Sequence, residues 1–187
     1  MEFEHTLRDR FLIAMPDLAD DNFFHTVTYI CEHNREGAMG IVINRQAEMT
    51  LGELFDQLGF ESSDPSLVSR SIYHGGPVQT EQGFILHQPL GNWEATMAIN
   101  EEVGLTASKD ILEAIAHGEG PEHFLVAIGY AGWGAGQLEH ELLDNAWLSA
   151  PASGTILFET TVEQRWTEAA ALLGVDLALL SHDAGHA

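Results

Sequence analysis

Short apolar runs, each closed by a turn signal, recur along the chain and constrain its fold more than any other feature. Residues 11–16 form such a run and end at a proline, which favours a buried strand over a short helix. Residues 27–31 and 38–44 are rich in apolar and β-branched residues and flank the turn signal 34–37. This spacing predicts a β-hairpin over 27–44.

Helical signals lie between these runs. Thr50 and Glu53 match a capping box and precede apolar residues at helical spacing, so a helix is predicted over about 50–59. Asp20 and Asp21 favour a single helical turn before the hairpin. Further strands are expected at 71–73, 83–87, 95–99, 123–130, 147–148 and 156–158, and further helices from a cap at Thr106 or Ser108 to Gly118, over 137–144 and over 162–173.

Strands and helices are thus interspersed, but without the regular alternation of a parallel α/β sheet. Hairpins predominate instead, which favours a mixed α+β fold. The chain has 187 residues, of which 45% are hydrophobic, enough to bury a sizeable core. We therefore expect a single domain over residues 1–187.

The acidity of the chain is the second feature of the sequence, and it constrains which partners the protein can bind. Seven Lys and Arg stand against 29 Asp and Glu, which gives a formal net charge of −22 at pH 7. A protein that binds duplex DNA commonly places about 6–10 cationic side chains on phosphates, and the few basic residues here are scattered. Direct nucleic-acid binding and docking on anionic membranes are therefore not expected. The acidity also fits a host adapted to high salt.

The sequence predicts neither secretion nor a membrane span. The longest stretch without a formal charge, residues 123–138, is too short and too rich in glycine to cross a bilayer. The first residues are acidic where a signal peptide would be basic, so a cytoplasmic location is expected. Cys31 is the only cysteine, which excludes an intramolecular disulfide and a cysteine cluster for zinc.

Six segments, taken in order, resemble one bacterial family. They read FLIAMP, TYICEHNREGAMGIVINR, YHGGPVQTEQGFILH, LTASKDILEAI, FLVAIGYAGWGAGQLEHELLDNAWL and a closing AGHA, and they extend from about residue 11 to residue 187. With them the chain resembles the AlgH (YqgE) family. The resemblance implies an α+β fold with a bifurcated, largely antiparallel and partly barrel-like sheet surrounded by helices.

The resemblance implies less about activity. The family brings no established catalytic residues and no cofactor, and its members are labelled transcriptional regulators because of an association with alginate production. A ribonuclease-H-like predicted Holliday-junction resolvase, often encoded nearby, is the partner that the resemblance implies. An acidic surface suits such a partner, because complementary charge steers association. The chain lacks a basic recognition helix, so any regulation is expected to act through proteins.

The segment GYAGWGAGQLEHE is the most unusual local sequence. Gly132, Trp133, Gly134, Gly136 and Gln137 lie where a strand leads into a helix, and closely spaced glycines there can expose backbone amides to an anion. The Lys and Ser/Thr of a P-loop are missing, and the third glycine of a dinucleotide pattern is replaced by Gln137. The alternative is a tight crossover with Trp133 packed over it, and we favour this alternative.

The segment HGGP is a second glycine-rich candidate. His74, Gly75, Gly76 and Pro77 resemble the oxyanion loop of lipases, but no G-x-S-x-G motif supplies a nucleophile, which favours a structural turn. If residues 74–77 and 129–136 line one cleft, the chain is an enzyme or a small-anion-binding protein, and this is the alternative function.

Other chemical groups form weaker patterns. Cys31 and His33 lie two apart on a predicted strand, so their side chains are expected on one face, as a nucleophile pair requires. His140 and Asp144 lie four apart on a predicted helix and could share a metal. Inert core and an exposed helix face are the favoured alternatives. The acidic cluster Asp17, Asp20 and Asp21 and the tail residues His182, Asp183 and His186 are further metal candidates, for which capping and a terminal tail are the alternatives.

Large aromatic residues are the remaining candidates, as anchors for a partner. Trp93 follows a Gly-Asn turn and is the one that we expect to be exposed. The set comprises Phe23, Phe24, Trp93, Trp133, Trp147 and Trp166. Because no complete catalytic set can be assembled, the leading hypothesis is a non-enzymatic regulatory or protein-interaction factor without metal or cofactor.

Overall fold

The computed structural model describes residues 6–177 and 179, except 19 and 22. Strands contain more residues than helices do. They are β1 (Arg10–Ala14), β2 (Val27–Asn34), β3 (Gly37–Val42), β4 (Gln46–Thr50), β5 (Ser71–His74), β6 (Val78–Gln88), β7 (Thr96–Ala98), β8 (Gly104–Thr106), β9 (His123–Gly134) and β10 (Trp147–Pro151).

Two of the helices begin at capping residues that the sequence predicts. The Glu53 amide donates to Thr50 Oγ1 at 3.2 Å, which confirms the capping residue of the first helix, and Ser108 is the N-cap residue of the third. The helices are α1 (Leu51–Leu58), α2 (Pro65–Val68), α3 (Lys109–Ala116), α4 (Gln137–Leu143), α5 (Gly154–Phe158) and α6 (Arg165–Ala171), with a 3₁₀ turn at Val162–Gln164.

β9 is the central strand and the place where the sheet divides. On one side it pairs along its length with β6. On its other side its last residues, 131–134, pair with β3, whereas Ala127 and Ile128 pair in parallel with β5. The strand order is β10-β1-β2-β3-β9-β6-β8-β7, and all pairs other than β5 with β9 are antiparallel. The predicted α+β class and bifurcated, largely antiparallel sheet are confirmed.

Glycines make the division sterically possible. The Gly75 amide donates to the Ile128 carbonyl and the Gly75 carbonyl accepts from the Val42 amide, both at 2.8 Å, so Gly75 bridges the two branches. A Cβ at Gly75 would lie 2.3 Å from the Gly129 carbonyl oxygen, and one at Gly129, where φ is +77°, would lie 2.4 Å from the Gly76 oxygen. Only glycines allow these backbones to approach so closely.

The curled sheet has a core inside and a core on each branch outside. The inner core contains Phe11, Tyr29, Ile41, Leu86 and Leu125 and is covered by α5 and α6. One outer core lies under α1 and α3, and the other lies under α4. The predicted partly barrel-like shape follows from this wrapping.

Side chains join the N-terminal end of β1 to the distant β7–β8 hairpin. The Arg8 guanidinium donates to the Ile99 carbonyl at 3.2 Å and to the Ala98 carbonyl. Asp9 Oδ1 accepts from the Tyr29 hydroxyl at 2.6 Å and from Asn100 Nδ2 at 3.1 Å. These contacts hold the edges of the half-barrel together.

Several predicted elements differ from the structure. The strand expected at 156–158 is helix α5, because Ser153 accepts from the Ile156 amide at 3.3 Å and starts a helix there. Strand β10 extends through 147–151 and includes Pro151, which occupies the strand end. The short elements β4, β8 and α2 were not predicted, since three to five residues give too little periodicity.

Candidate functional site

The glycine-rich segment after β9 folds around the carboxylate of Glu141. Glu141 Oε1 accepts from the indole N–H of Trp133 at 3.0 Å and from that of Trp147 at 2.9 Å, and Oε2 accepts from Gln137 Nε2 at 3.0 Å. Phe23 stacks on Trp133 with ring centroids 5.9 Å apart. These side chains form the outer core under α4.

One of the backbone amides proposed to receive an anion has a partner within the chain. The Gly134 amide donates to Gln137 Oε1 at 2.9 Å, and Gly136 is the N-cap residue of α4, with φ +73°. Gly132 is exposed, and Trp133 is buried. The contacts thus resemble the tight crossover that we favoured.

The HGGP segment lies at the fork of the sheet. His74, Gly76 and Pro77 line a hollow of about 290 Å³ together with Val42, Arg45 and Thr80. Gly75 is buried against β9.

The two glycine-rich segments touch only in part. Gly75 and Gly76 lie against Gly129 and Tyr130, whereas residues 132–137 are not among those that line the hollow. None of the residues around the hollow is acidic.

Cys31 and His33 lie on opposite faces of the sheet, so the predicted pairing on one face is wrong. A β-bulge after Ile30 leaves Cys31 unpaired, and the next pairs are Glu32 with Met39 and His33 with Ala38. The extra residue reverses the alternation of side chains between the two faces of the sheet from that point onward. The Cys31 thiol is fully buried in the inner core, and burial raises its pKa.

His33 is instead part of the contact between β2 and α4. Its Nδ1 accepts from the Leu7 amide at 2.8 Å, so Nε2 carries the proton and donates to the Glu139 carboxylate. The ring is buried. Both ring nitrogens are thereby occupied, which leaves no lone pair for a proton transfer or a metal.

The remaining metal candidates do not converge among the described residues. His140 Nε2 lies 3.3 Å from Asp144 Oδ2 on the exposed face of α4. No group of three metal-ligating side chains occurs within the described part of the chain, which includes Asp17, Asp20 and Asp21. His182, Asp183 and His186 lie outside the described residues.

The turn before β2 presents the aromatic residue that is most exposed. Phe24 is 50% exposed, whereas Trp93, expected at the surface, is half-buried with its indole nitrogen inside the protein. The Phe24 amide donates to the Asp20 carbonyl at 2.8 Å, so this segment contains the predicted turn, although residue 22 lies outside the described residues.

His25 lies between two aromatic rings. Its ring centroid is 3.8 Å from that of Phe24 and 3.9 Å from that of Trp166, with nearly parallel planes. Burial lowers the pKa of His25, so the ring is neutral at neutral pH. Sequence reasoning missed this stack because Trp166 lies 141 positions farther along the chain.

The arginines hold backbone carbonyls rather than carboxylates. Arg45 donates to the carbonyls of Asp21 and Phe24 at 2.6 and 3.1 Å, and Arg70 donates to the Phe124 carbonyl at 3.1 Å. Arg8, Arg10 and Arg165 also bind carbonyls. Among the described residues, no Arg or Lys nitrogen lies within 4.0 Å of an Asp or Glu carboxylate oxygen.

Helices α1 and α2 border an acidic concave surface. One hollow of about 340 Å³ is lined by Glu53 and Asp56 over Phe55, Phe60 and Val68. An adjoining hollow of about 560 Å³ shares Asp56 and adds Glu61 and His117. We call these two hollows the acidic groove.

Two further observations bear on the class of protein. Among the described residues, no helix has both the length and the hydropathy needed to cross a membrane. A family model described as AlgH-like matches residues 11–178.

Relatives match nearly the whole chain. A UPF0301 protein of Thioalkalivibrio sulfidiphilus is 58% identical over 179 residues, which is 96% of each chain, and one of Nitrosococcus oceani is 53% identical over 180 residues, with the same shares. The solution structure of the AlgH protein from Pseudomonas aeruginosa has a TM-score of 0.80 and 48% identity, and the match covers 97% of this chain and 96% of that one.

A more distant structure shares the fold. A protein from Corynebacterium diphtheriae, 18% identical, has a TM-score of 0.74 over 97% of this chain and 94% of its own. The family model, the relatives and the Pseudomonas aeruginosa structure show that the chain belongs to the AlgH-like, UPF0301 family.

Proposed function

We propose that this protein is a non-enzymatic, cytoplasmic regulatory factor that acts by binding a basic partner protein. One observation carries the proposal: among the described residues, no arginine or lysine side chain forms an ion pair with a carboxylate. The chain holds 29 acids against seven basic residues, and five of those seven bind backbone carbonyls. The resulting field attracts cationic surfaces and speeds their association.

The acidic groove is the docking surface that we infer. Glu53, Asp56 and Glu61 are exposed on its walls, while Phe60 and Val68 offer partly buried apolar contact. Protein interfaces commonly combine an apolar centre with a polar rim. A basic helix or loop with one apolar residue would match this groove in charge and character.

The ribonuclease-H-like predicted Holliday-junction resolvase is the partner that we propose. A nuclease of this kind carries basic surface for its nucleic acid, and an acidic protein can compete for that surface without touching DNA. Such competition would regulate the nuclease through protein contact. Competition of this kind would let a chain without a basic patch in its sequence have a regulatory effect.

Affinity capture from nuclease-treated cytoplasm tests the proposal. We expect the wild-type protein to retain a stoichiometric basic protein and the Asp56→Lys, Glu61→Lys double variant to lose it. Glu101→Lys is the control for a charge reversal outside the groove, since it adds positive charge at the exposed β7–β8 turn. Capture by none of the proteins, or equal capture by all three, would contradict the proposal.

A second candidate function, binding of a small anion, is favoured by the hollow at the HGGP segment. Arg45, His74 and Thr80 line it, and no carboxylate does. Inorganic phosphate is the probe for a calorimetric titration. His74→Ala and Thr80→Ala should weaken phosphate binding if the hollow is an anion site, and His74→Ala should leave partner capture unchanged.

A further inference from the structure

An aromatic platform stands on the surface at the turn before β2. Trp166 forms its base, and the Trp166 indole N–H donates to the Ala14 carbonyl at 2.9 Å, which anchors it to β1. His25 stacks on Trp166, and Phe24 stacks on His25. Since one face of Phe24 is covered by His25, its 50% exposure comes from the other face and the ring edge.

Nearby residues of the same protein hold this platform in place without a ligand. Arg45 holds the carbonyls of Asp21 and Phe24, and Asn44 Nδ2 donates to the His25 carbonyl at 2.9 Å. A surface that is already ordered loses less conformational entropy when it binds. Phe24 is therefore presented as a fixed apolar plane.

The charge around the platform is negative. Asp20 and Asp21 precede Phe24 in the same turn, in which the Asp20 carbonyl accepts from the Phe24 amide, and Asp17 lies earlier in the same loop. Arg45 is the cation recorded in contact with this loop, and its charge is directed at carbonyls. The neutral His25 ring adds no positive charge.

We propose that this platform binds the guanidinium group of an arginine on the partner protein, stacked on the outer face of Phe24 beside the loop carboxylates. This site rests on the proposed function, since it names the chemistry of one partner side chain. A guanidinium is planar and weakly hydrated, so it stacks on an aromatic face better than an ammonium does. The chain contains the same contact internally, where the Arg70 guanidinium carbon lies 4.1 Å from the Phe124 ring centroid.

Titration with a capped peptide of three arginines separated by glycines tests the site, with amide chemical shifts of the labelled protein as the readout. We expect shifts at residues 20–25 and at Trp166, and weaker binding of the matched lysine peptide. Phe24→Ala should weaken the arginine peptide about two- to fivefold, as expected for an exposed cation–π contact. Phe24→Leu keeps apolar bulk without the ring and should behave in the same way.

Leu143→Ala is the control, because Leu143 is an exposed apolar side chain, 81% exposed, on α4 and takes no part in the aromatic stack. It should bind the arginine peptide as the wild type does. Equal binding of both peptides, no shift at residues 20–25, or an unchanged affinity in Phe24→Ala would each overturn the site.

The experiments distinguish an error in the proposed site from an error in the proposed function. If the groove variant loses the captured partner while Phe24→Ala retains both partner and peptide affinity, the function stands and the site is wrong. If the arginine peptide binds at Phe24 but no partner is captured, the site stands and the function is wrong.

Discussion

The Glu141 carboxylate satisfies two indole donors that are otherwise buried. Trp133 and Trp147 are 6% and 4% exposed, and both donate to Glu141 Oε1. Glu141→Ala leaves both N–H groups without an acceptor, at a cost of about 1–3 kcal/mol for each buried group. We expect the free energy of unfolding to fall by about 2–6 kcal/mol.

Urea denaturation followed by tryptophan fluorescence measures this change. Glu141→Gln retains a carbonyl oxygen and should cost less than Glu141→Ala. Glu163→Ala removes an exposed carboxylate elsewhere and should be neutral within about 0.5 kcal/mol. An equal loss in Glu141→Ala and Glu163→Ala would mean that the carboxylate does not hold the indoles.

His87 makes folding sensitive to mild acid. Its ring is fully buried, with Nδ1 2.9 Å from the Pro89 carbonyl oxygen and Nε2 2.7 Å from Thr106 Oγ1. Burial lowers the pKa of His87 below its ordinary value of 6.5. The folded state thus favours the neutral ring, and its stabilising contribution is complete above pH 6.5 and declines as the pH falls from there through the folded-state pKa.

Unfolding free energies of the wild type and of His87→Gln, measured from pH 8 to about pH 5, test this assignment. The wild type should lose stability more steeply below pH 6.5 than the variant, which lacks the titrating ring. Parallel pH profiles would show that His87 is not the group responsible.

At the scale of elements, the fork of the sheet depends on glycine at two positions. A Cβ at Gly129 would meet the Gly76 oxygen at 2.4 Å, and φ there is +77°. Gly129→Ala should therefore reduce the free energy of unfolding by about 2–4 kcal/mol, from backbone strain and the clash together. Thermal or urea unfolding gives the value.

Gly83→Ala is the matched control on the neighbouring strand. A Cβ at Gly83 would meet nothing within 4 Å, and its φ is not in the left-handed region. The change should be neutral or slightly stabilising, since alanine restricts the unfolded chain. If both variants have the same stability, close backbone approach is not what the fork requires.

Local signals predicted the elements well. The hairpin over 27–44 and the capping box at Thr50 were predicted because turn residues and periodicity lie within a few positions of each other. The fork could not be predicted, because the contact between Gly75 and Gly129 joins positions 54 apart. The bulge at Cys31 was also missed, since one extra residue leaves the composition of a strand unchanged.

The candidate site was predicted in its parts rather than in its geometry. His74 and Gly76 line a hollow, although the sequence favoured a structural turn there, and Arg45 joins them through the fold alone. The Glu141 contact with two indoles requires that β9, α4 and β10 be placed together first. Burial is likewise a tertiary property, which is why Trp93 was wrongly expected at the surface.

At the scale of the whole molecule, self-repulsion opposes folding. The net charge is −22, and the described basic side chains offset no carboxylate by direct pairing. Salt screens repulsion over a Debye length of about 10 Å at 0.1 M, so the midpoint of thermal unfolding should rise as sodium chloride is added. Calorimetry measures it, and a midpoint that falls with salt would indicate that attractive ion pairs dominate instead.

The same charge governs binding, with the opposite dependence on salt. The affinity of the captured partner, measured by isothermal titration at low and at high salt, tests the central claim that unpaired carboxylates of the acidic groove hold a basic protein. The account predicts an affinity that falls steeply as salt rises and that is lost in Asp56→Lys, Glu61→Lys but kept in Glu101→Lys. An affinity that is independent of salt, or one that survives the reversal of charge in the groove, would contradict it.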